Sequence, residues 1–461
     1  MPGSTPWKDR SVDILGQQPL LRIYTQLCFC FPMTGEDWTQ KLTVPLTMAV
    51  LQLTKSFPWL NGQIVNDGSG TGTCGEFKII SHSPSLLSWK DLRADSAAPT
   101  MATLRANNFS LSMLDEAVVA PRRTLPTTEE SALAQPVFLV QATFLTDGLL
   151  LTFLGQHNAM DVTGLGQVVK FFAQACREAE FTPRDVLLGN ISTDDMGFAF
   201  KLPPEEAVKL DETVEPEGPL TSPSPSTNDS PSSPPPICTW AHLLFPATSL
   251  SKLKKLAIAE LRQEGTYIST DDVITAFVYQ AITRARLPRL GTHTTSTLAR
   301  AVDLRPRLPL PDWYIGMAQS MVYSHFTIHE ATDWSLGKAA AHLRSALLPK
   351  EKVAHSARIL ANRIARTQDR SDISFTADLD PGTDVMVSSW AKLGCYEWEF
   401  GSHLGKAEAV VRPMFDPVES LMYVLPKNRD SDVSVMLCLR EQDMERMRED
   451  GDVKKWATFI P

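Results

Sequence analysis

Residues 203–236 divide this chain, because the segment is dense in Pro, Ser, Glu and Asp and poor in aromatic residues. A segment of that composition cannot bury enough apolar surface to build a core of its own. Roughly 200 residues remain on each side, a length that is sufficient for one folded domain. We therefore predict an N-terminal domain at 1–200, a crossover linker at 201–237 and a C-terminal domain at 238–461, with part of 365–395 packing on the N-terminal domain.

Composition and charge argue against several classes of protein. Apolar residues make up 43% of the chain and charged residues 21%, as in an ordinary globular protein. A net charge of −9 disfavours a general binder of nucleic acid or of membrane surfaces. No apolar run reaches the roughly 18 residues that span a bilayer, and residues 1–10 lack the apolar segment of a signal peptide. The seven cysteines are scattered along the chain, which is typical of reduced thiols. We expect a cytoplasmic protein that binds neither nucleic acid nor membrane.

His157 follows a predicted β-hairpin. Residues 137–145 and 149–154 are apolar, β-rich segments separated by Thr146-Asp147-Gly148, a tight-turn sequence. Between 165 and 176 the apolar residues recur at the spacing of an amphipathic helix. His157 is therefore predicted to lie in a short loop between a strand and a helix, where catalytic side chains are common. A lone histidine is nevertheless more often structural than catalytic, so its position alone does not decide its role.

Asp161 follows His157 by four residues and admits two interpretations. Its carboxylate could cap the helix that is predicted to start near Thr163. It could also support the histidine by holding the loop in place.

A second group of charged residues lies in the strand-like segment 295–308. Asp303, Arg305 and Arg307 alternate along it, which predicts that they point to one face of the strand. Charged side chains on an otherwise apolar strand need partners, and Asp161 is a candidate partner for one of the arginines.

The second half also contains a local basic patch in an acidic protein. Lys252, Lys254 and Lys255 lie on a helix predicted at about 249–263, where a solvated helix face is the alternative interpretation. Ser269 and Thr270 lie at the predicted N-terminus of the next helix.

Other known motifs are absent, or their neighbouring residues do not predict the secondary structure that the motif requires. Residues 70–75 match G-x-G-x-x-G, but β-like residues follow them, so that 62–80 is better interpreted as a hairpin than as a nucleotide site. No G-x-S-x-G elbow, H-E-x-x-H or paired C-x-x-C is present, and His325 and His329 lack a neighbouring acid in the right register for zinc. We expect no metal site.

Taken together, the chain resembles the BAHD acyltransferases, specifically the fungal branch typified by trichothecene 3-O-acetyltransferases. The resemblance rests on motifs that occur in the family's order from about residue 13 to the C-terminus. They are the H-x-x-x-D of His157 and Asp161, the D-x-R-x-R of Asp303 to Arg307, Tyr314-Ile315-Gly316, Ser388-Ser389-Trp390 and Glu399-Phe400-Gly401 with Leu404-Gly405-Lys406.

The resemblance implies an α/β fold of two chloramphenicol-acetyltransferase-like domains, each a mixed β-sheet flanked by helices, with an active-site tunnel between them. It also implies acyl transfer, with acetyl-CoA as co-substrate and no permanently bound cofactor, to the hydroxyl or amine of a small-molecule acceptor. His157 would act as general base, and transfer would be direct because the motif contains no Ser or Cys to carry the acyl group. Asp161 would orient the loop by pairing with Arg305 or Arg307.

The candidate residues for binding coenzyme A, including those near its thioester, come from the basic patch, the adjacent helix N-terminus and two later motifs. They are Lys252, Lys254, Lys255, Ser269, Thr270, Asp303, Arg305, Ser388 and Ser389. Ser388, Ser389 or the Trp390 indole N–H would stabilise the oxyanion. We expect a monomer.

The chain departs from the family pattern at three places. Glu399 replaces an Asp, Ser402-His403 stands where the family has Trp, and Met317 replaces the Asn of the Y-F-G-N turn. Two alternatives therefore stay open. One is a condensation-like domain that uses carrier-bound acyl groups, although Gln156 stands where such domains usually have a second His. The other is a non-transferase of the same fold, either a small-molecule binder or a pericyclase.

Overall fold

A computed structural model describes residues 9–35, 38–70, 73–82, 85–133, 135–203, 236–261, 267–370, 373–374 and 379–460. The crossover linker predicted at 201–237 lies outside the described residues except at its two ends. No helix in the described ranges combines the length and the apolar character needed to cross a membrane.

The first half of the chain contains two β-sheets and their flanking helices. Its strands are β1 (Arg10–Ser11), β2 (Tyr24–Pro32), β3 (Gly62–Gly70), β4 (Thr73–Ser81), β5 (Leu87–Asp91), β6 (Gln135–Pro136), β7 (Phe138–Leu145) and β8 (Gly148–Gln156). Its α-helices are α1 (Trp38–Ser56), α2 (Met101–Ala106), α3 (Glu116–Val119), α4 (Thr128–Ala132), α5 (Val162–Cys176), α6 (Pro183–Gly189) and α7 (Thr193–Met196).

The second half adds one large sheet and a further set of helices. Its strands are β9 (Cys238–Phe245), β10 (Thr295–Asp303), β11 (Gln319–Thr327), β12 (Val385–Ser389), β13 (Ala409–Val411), β14 (Leu421–Val424), β15 (Val433–Arg440) and β16 (Thr458–Ile460). Its α-helices are α8 (Ala247–Ala259), α9 (Thr270–Arg286), α10 (Ile328–Asp333), α11 (Leu336–Ser345), α12 (Lys350–Arg366), α13 (Glu441–Glu449) and α14 (Gly451–Trp456).

The central sheet of the first half has the order β13-β2-β8-β7-β5, and a smaller sheet has the order β1-β4-β3-β6. Strands β7 and β8 are buried along their whole length, which explains why both are continuous apolar runs rather than alternating ones. Helices α1 and α5 pack together, and the rings of Phe57 and Phe171 stack at 4.7 Å. The predicted hairpin at 62–80 is confirmed as β3 and β4, paired antiparallel.

The second-half sheet has the order β11-β10-β12-β14-β15-β9-β16. Leu243, Val387, Met422 and Leu437 of this sheet pack in one core with apolar residues of α8, α9, α11 and α13. Trp240, Leu421 and Met436 pack instead with Leu111, which belongs to the first half. This second packing joins the two halves of the chain.

The C-terminal half also contributes directly to the N-terminal sheet. Strand β13 pairs antiparallel with β2, and Trp390, Cys395 and Phe400 pack in the core of the first half. Arg370 donates hydrogen bonds to Gln17 and to the Gly75 carbonyl, both in the first half.

The predicted fold class, an α/β fold of mixed sheets flanked by helices, is confirmed. The prediction that residues 295–308 form one strand is wrong, since β10 ends at Asp303 and a turn follows. Pro306 and Pro309 lack the backbone N–H that a strand needs, so Arg305 and Arg307 leave the sheet.

Candidate active site

The loop that carries His157 is fixed from both sides by buried polar groups. The backbone N–H of His157 donates to the Ile23 carbonyl at 2.8 Å. Next to it, Asn158 is fully buried, accepts from the Gln156 side chain at 2.9 Å and donates to the carbonyl of Gln18 at 3.0 Å. Sequence reasoning missed Gln156 and Asn158 as supports, because an amide side chain shows its partners only once the chain has folded.

The imidazole of His157 has one nitrogen engaged. Its Nδ1 lies 3.2 Å from the carbonyl oxygen of Met160, so a proton on Nδ1 is donated to that carbonyl. This bond fixes the tautomer in which Nε2 carries the free lone pair that accepts a proton. Burial lowers the pKa of His157 below 6.5, although the Met160 carbonyl and the Asp161 charge oppose that shift. The imidazole is therefore neutral near pH 7 and able to act as a base.

Asp161 serves both of the functions considered from the sequence. Its Oδ1 accepts from the backbone N–H of Gly164 at 2.8 Å and so caps α5. Both carboxylate oxygens also accept from Arg305, at 2.9 and 3.1 Å. The choice between Arg305 and Arg307 is thereby settled, since Arg307 instead donates to the Asp303 carbonyl at 2.7 Å.

Arg305 is the centre of a buried network that joins the two halves. Besides Asp161, it donates to Asp303 at 2.9 Å and to the carbonyls of Tyr314 and Gly316 at 2.8 and 3.0 Å. Burial alone lowers the pKa of Arg305, but the charges of Asp161 and Asp303 outweigh it and the net shift is upward. The guanidinium is thus permanently charged and geometrically fixed.

A second aspartate of the first half holds the same turn. Asp13 accepts from the Tyr314 hydroxyl at 2.5 Å and from the backbone N–H of Met317 at 2.7 Å. The side chain of Met317 is fully buried in an apolar cluster with Leu15 and Tyr314. Because the turn is held through the backbone of Met317, replacement of the family's Asn does not disturb its attachment.

A cavity of about 730 Å³ lies beside β10 and β12, and it collects several of the predicted site residues. The predicted residues that line it are Lys254, Ser269, Thr270, Asp303 and Ser389. Ser269 also caps α9 by accepting from the Asp272 N–H at 3.2 Å. A cavity of this size fits within the usual range for a cofactor-sized ligand.

The structure does not place the other predicted residues in the lining of this cavity. Lys252 and Lys255 are exposed on α8, Arg305 is buried in the network with Asp161, and Ser388 faces the opposite side of β12. Sequence reasoning missed further cations of the lining, which are Lys392, Lys427, Arg300, Arg307 and Arg344. No spacing pattern could have revealed them, because they come from separate elements.

The cations around the cavity differ in how far they are neutralised. Arg300 pairs with Asp271 at 3.0 Å and with Asp272 at 3.1 Å, and Arg344 pairs with Asp272. Among the described residues, no ion pair involves Lys254, Lys392 or Lys427. Arg307 of the lining also forms no ion pair among the described residues and donates to the Asp303 carbonyl, so these three lysines and Arg307 give the cavity its uncompensated positive charge.

The Ser388-Ser389-Trp390 segment has its polar groups on two faces. Ser389 lines the cavity and donates to Asp271 at 2.5 Å. The Trp390 indole N–H donates to the Ser388 hydroxyl oxygen at 3.0 Å, so that N–H already has a partner. No acceptor for the Ser388 hydroxyl proton is found among the described residues.

The altered second signature packs in the core of the first half. The ring of Phe400 lies 5.4 Å from Phe29 and 5.1 Å from Phe31. Glu399 is held through its backbone carbonyl, which accepts from Arg177 at 2.6 Å. Gly401 has a φ of +84°, and a Cβ there would lie 2.5 Å from the Cys176 carbonyl oxygen, so a glycine is required. The contacts described here involve the backbone of Glu399 and not its side chain.

Comparison with known proteins supports the assignment that this geometry suggests. A model of the trichothecene 3-O-acetyltransferase-like N-terminal domain matches residues 23–176, and a model of the Transferase family matches residues 111–453. An O-acetyltransferase of Cryptosporiopsis is 42% identical and covers 98% of each chain. The trichothecene 3-O-acetyltransferase of Fusarium sporotrichioides is 38% identical, covering 98% of this chain and 97% of its own. The solved F. graminearum trichothecene 3-O-acetyltransferase, complexed with coenzyme A and deoxynivalenol, superposes with a TM-score of 0.92 at 34% identity over 99% of this chain and 100% of that chain.

The fold and the matching family models thus define an acyl-CoA-dependent acyltransferase, as the motifs predicted. The chain belongs to the BAHD-type Transferase family, in the branch that carries the trichothecene 3-O-acetyltransferase-like N-terminal domain. The predictions of family, fold class, enzyme class and acyl-CoA co-substrate are confirmed.

Proposed function

We propose that this enzyme acetylates a hydroxyl group of a fungal specialised metabolite, with His157 as the general base. The observation that carries the proposal is the bond between His157 Nδ1 and the Met160 carbonyl, which leaves Nε2 as the proton acceptor. An alcohol becomes a competent nucleophile only when its proton is removed, and a neutral imidazole suits that step near pH 7. Relatives named for O-acetylation support the acetyl group and the hydroxyl acceptor.

The reaction takes place within one ternary complex. Nε2 of His157 accepts the hydroxyl proton while the acceptor oxygen attacks the thioester carbonyl of acetyl-CoA. The tetrahedral oxyanion then collapses, the carbon–sulfur bond breaks, and the thiolate of coenzyme A takes the proton from the imidazolium. The Ser388 hydroxyl donates to the oxyanion, since the Trp390 N–H is already bound to the Ser388 oxygen.

Coenzyme A occupies the 730 Å³ cavity, with its phosphates near the three lysines that have no partner among the described residues. Of the three lysines predicted as a basic patch, Lys254 lines this cavity, whereas Lys252 and Lys255 do not. We therefore assign coenzyme A binding to Lys254 and not to the other two. Ser269 and Thr270 lie at the N-terminus of α9, where backbone N–H groups favour an anion or a polar pantetheine group.

Direct transfer distinguishes this account from a covalent mechanism. Incubation with acetyl-CoA and a hydroxylated acceptor such as deoxynivalenol should release coenzyme A and give a product that is heavier by one acetyl group. Without acceptor, intact-protein mass spectrometry should show no acetylated enzyme. An acetyl adduct that forms and decays at the rate of turnover would contradict direct transfer. The expected monomer is tested by light scattering on the same sample, and the cytoplasmic location by fractionation of the source cells.

A further inference from the structure

A carboxylate lies in the wall of the cavity that we assign to coenzyme A. Asp271 lines this cavity, and 25% of its side chain is exposed. The phosphates of coenzyme A are negative, so a further negative charge in the same cavity needs a reason. An ion pair supplies only part of that reason, since one oxygen of Asp271, Oδ2, accepts from Arg300 at 3.0 Å.

The structural contacts of Asp271 are duplicated by its neighbour Asp272. Arg300 also donates to Asp272 at 3.1 Å and to the Leu343 carbonyl at 3.4 Å. The capping box of α9 consists of Ser269 and Asp272, whose carboxylate accepts from the backbone N–H and the hydroxyl of Ser269, both at 2.7 Å. Neither the position of Arg300 nor the start of α9 therefore depends on Asp271 alone.

The contact of Asp271 that no other described residue duplicates is with Ser389. Oδ1 of Asp271 accepts from the Ser389 hydroxyl at 2.5 Å, and Ser389 lines the cavity as well. A serine hydroxyl has one proton to donate and two lone pairs that accept. Because its proton is committed to Asp271, Ser389 presents only an acceptor to a ligand in the cavity.

A further polar group of this wall has no partner within the described structure. Thr275 lies one turn after Asp271 on α9 and also lines the cavity. Its hydroxyl oxygen is buried, and no hydrogen-bond partner is found for it among the described residues. A buried hydroxyl without a partner is costly, so this wall is suited to a polar group that a ligand supplies.

We propose that Asp271 is a positioning residue, which makes the Ser389 hydroxyl an acceptor for an amide N–H of the pantetheine arm of coenzyme A. Ser389 is adjacent to Ser388, which donates to the oxyanion in the proposed reaction. The part of coenzyme A beside Ser389 is therefore the arm that leads to the sulfur, and the N–H groups of this arm belong to its amides. Ser389 accepts from the amide nearest the sulfur and thereby fixes how far the arm enters. The inference rests on the proposed binding of coenzyme A in this cavity.

Two ligands of equal charge test this assignment. One is coenzyme A, and the other is its analogue with an ester in place of the amide nearest the sulfur, which lacks the N–H and keeps the phosphates. Calorimetry should show that the wild type binds the ester analogue about fivefold or more weakly, because an ester oxygen faces the lone pair of Ser389. In Ser389→Ala the two affinities should agree within about twofold.

Asp271→Asn changes the role of Ser389 without removing its hydroxyl. The amide oxygen of the new side chain must face the Arg300 guanidinium, so its NH₂ group faces Ser389 and donates to it. The Ser389 proton then points to the ligand, and the preference for coenzyme A over the ester analogue should fall to about twofold or less. A merely structural role of Asp271 would weaken both ligands alike and leave the preference unchanged.

Lys254→Glu is the matched control, since it changes the charge of the cavity lining and leaves the pair of Asp271 and Ser389 intact. Both ligands should bind more weakly to this variant, with the preference of the wild type retained.

Equal affinity of the wild type for the two ligands, or an unchanged preference in Asp271→Asn, would overturn the inference. If Asp271→Asn does not fold, an unchanged preference in Ser389→Ala overturns it instead. A wild type that binds neither ligand would contradict the proposed function itself, so the two failures are distinguishable.

Discussion

Asp161 of the first half and Arg305 of the second are joined by two hydrogen bonds of 2.9 and 3.1 Å in a site where both side chains are buried. The same carboxylate accepts from the backbone N–H groups of Gly164 and Ala318 at 2.8 and 2.9 Å. One side chain therefore fixes the start of α5, the turn that contains Ala318 and the arginine between them. Because both carboxylate oxygens are engaged, we propose that Asp161 supports the His157 loop and does not accept the substrate's proton.

Replacement of Asp161 by Ala should destabilise the enzyme severely. The change leaves Arg305 buried beside an empty space, and the expected loss is about 3–5 kcal/mol of the free energy of unfolding. Denaturation in urea, followed by fluorescence, measures it. A loss below about 1 kcal/mol would show that the pair is not a structural support.

The double variant Asp161→Leu with Arg305→Met tests whether the unpaired charge of Arg305 causes the loss of stability in Asp161→Ala. Because it removes both charges together, it should be clearly more stable than Asp161→Ala, although the loop still loses its cap. If the double variant were no more stable than Asp161→Ala, the unpaired charge of Arg305 would not be the cause of the damage.

Charge reversal at Lys254 should weaken coenzyme A binding. Lys254→Glu places a negative charge in the lining of the cavity, where the phosphates are expected, and calorimetry should show a loss of affinity of about tenfold or more. The loss should shrink as salt is added, because salt screens the charges.

Lys252→Glu is the matched control on the same helix. Lys252 is exposed and lies outside the cavity lining, so the same change of charge should alter affinity by less than about twofold. Equal effects of the two variants would show that only the net charge of the protein matters.

His242 should make the protein less stable in mild acid. Both of its ring nitrogens lack partners in the described structure, and burial lowers its pKa to about 4. The unfolded chain takes up a proton below about pH 6.5 and the folded protein only below about 4, so stability is lost as the pH falls between those values.

The contribution of His242 over that interval is about 3 kcal/mol. His242→Leu should therefore flatten the decline of the melting temperature between pH 6.5 and 4, in comparison with the wild type. An unchanged slope would show that other groups control acid stability, for example His157, whose pKa burial also lowers.

The sequence predicted the parts of this protein that depend on local pattern. Strands β7 and β8, the loop of His157 and helix α5 lie where the hairpin turn and the helical periodicity placed them. Local patterns suffice here because burial and turn chemistry are encoded within a few residues.

What depends on distant contacts could not be predicted. The sequence predicted a basic patch of three lysines on one helix. The orientation of α8 in the fold decides that Lys254 faces the cavity and that the other two lysines face solvent. Lys392 and Lys427 approach the same cavity from remote positions in the chain. The hydrogen bond between Ser389 and Asp271 joins residues 118 positions apart, and it has no signature in the sequence.

The central claim is that Nε2 of His157 removes the acceptor's proton, and His157→Gln tests it most directly. Gln cannot act as a base near pH 7, so kcat should fall by about 100-fold or more. The affinity for coenzyme A measured by calorimetry should stay near that of the wild type, because no residue of the cavity lining has changed. A variant that binds coenzyme A normally and loses turnover by this factor agrees with the account, whereas turnover near the wild-type rate would contradict it.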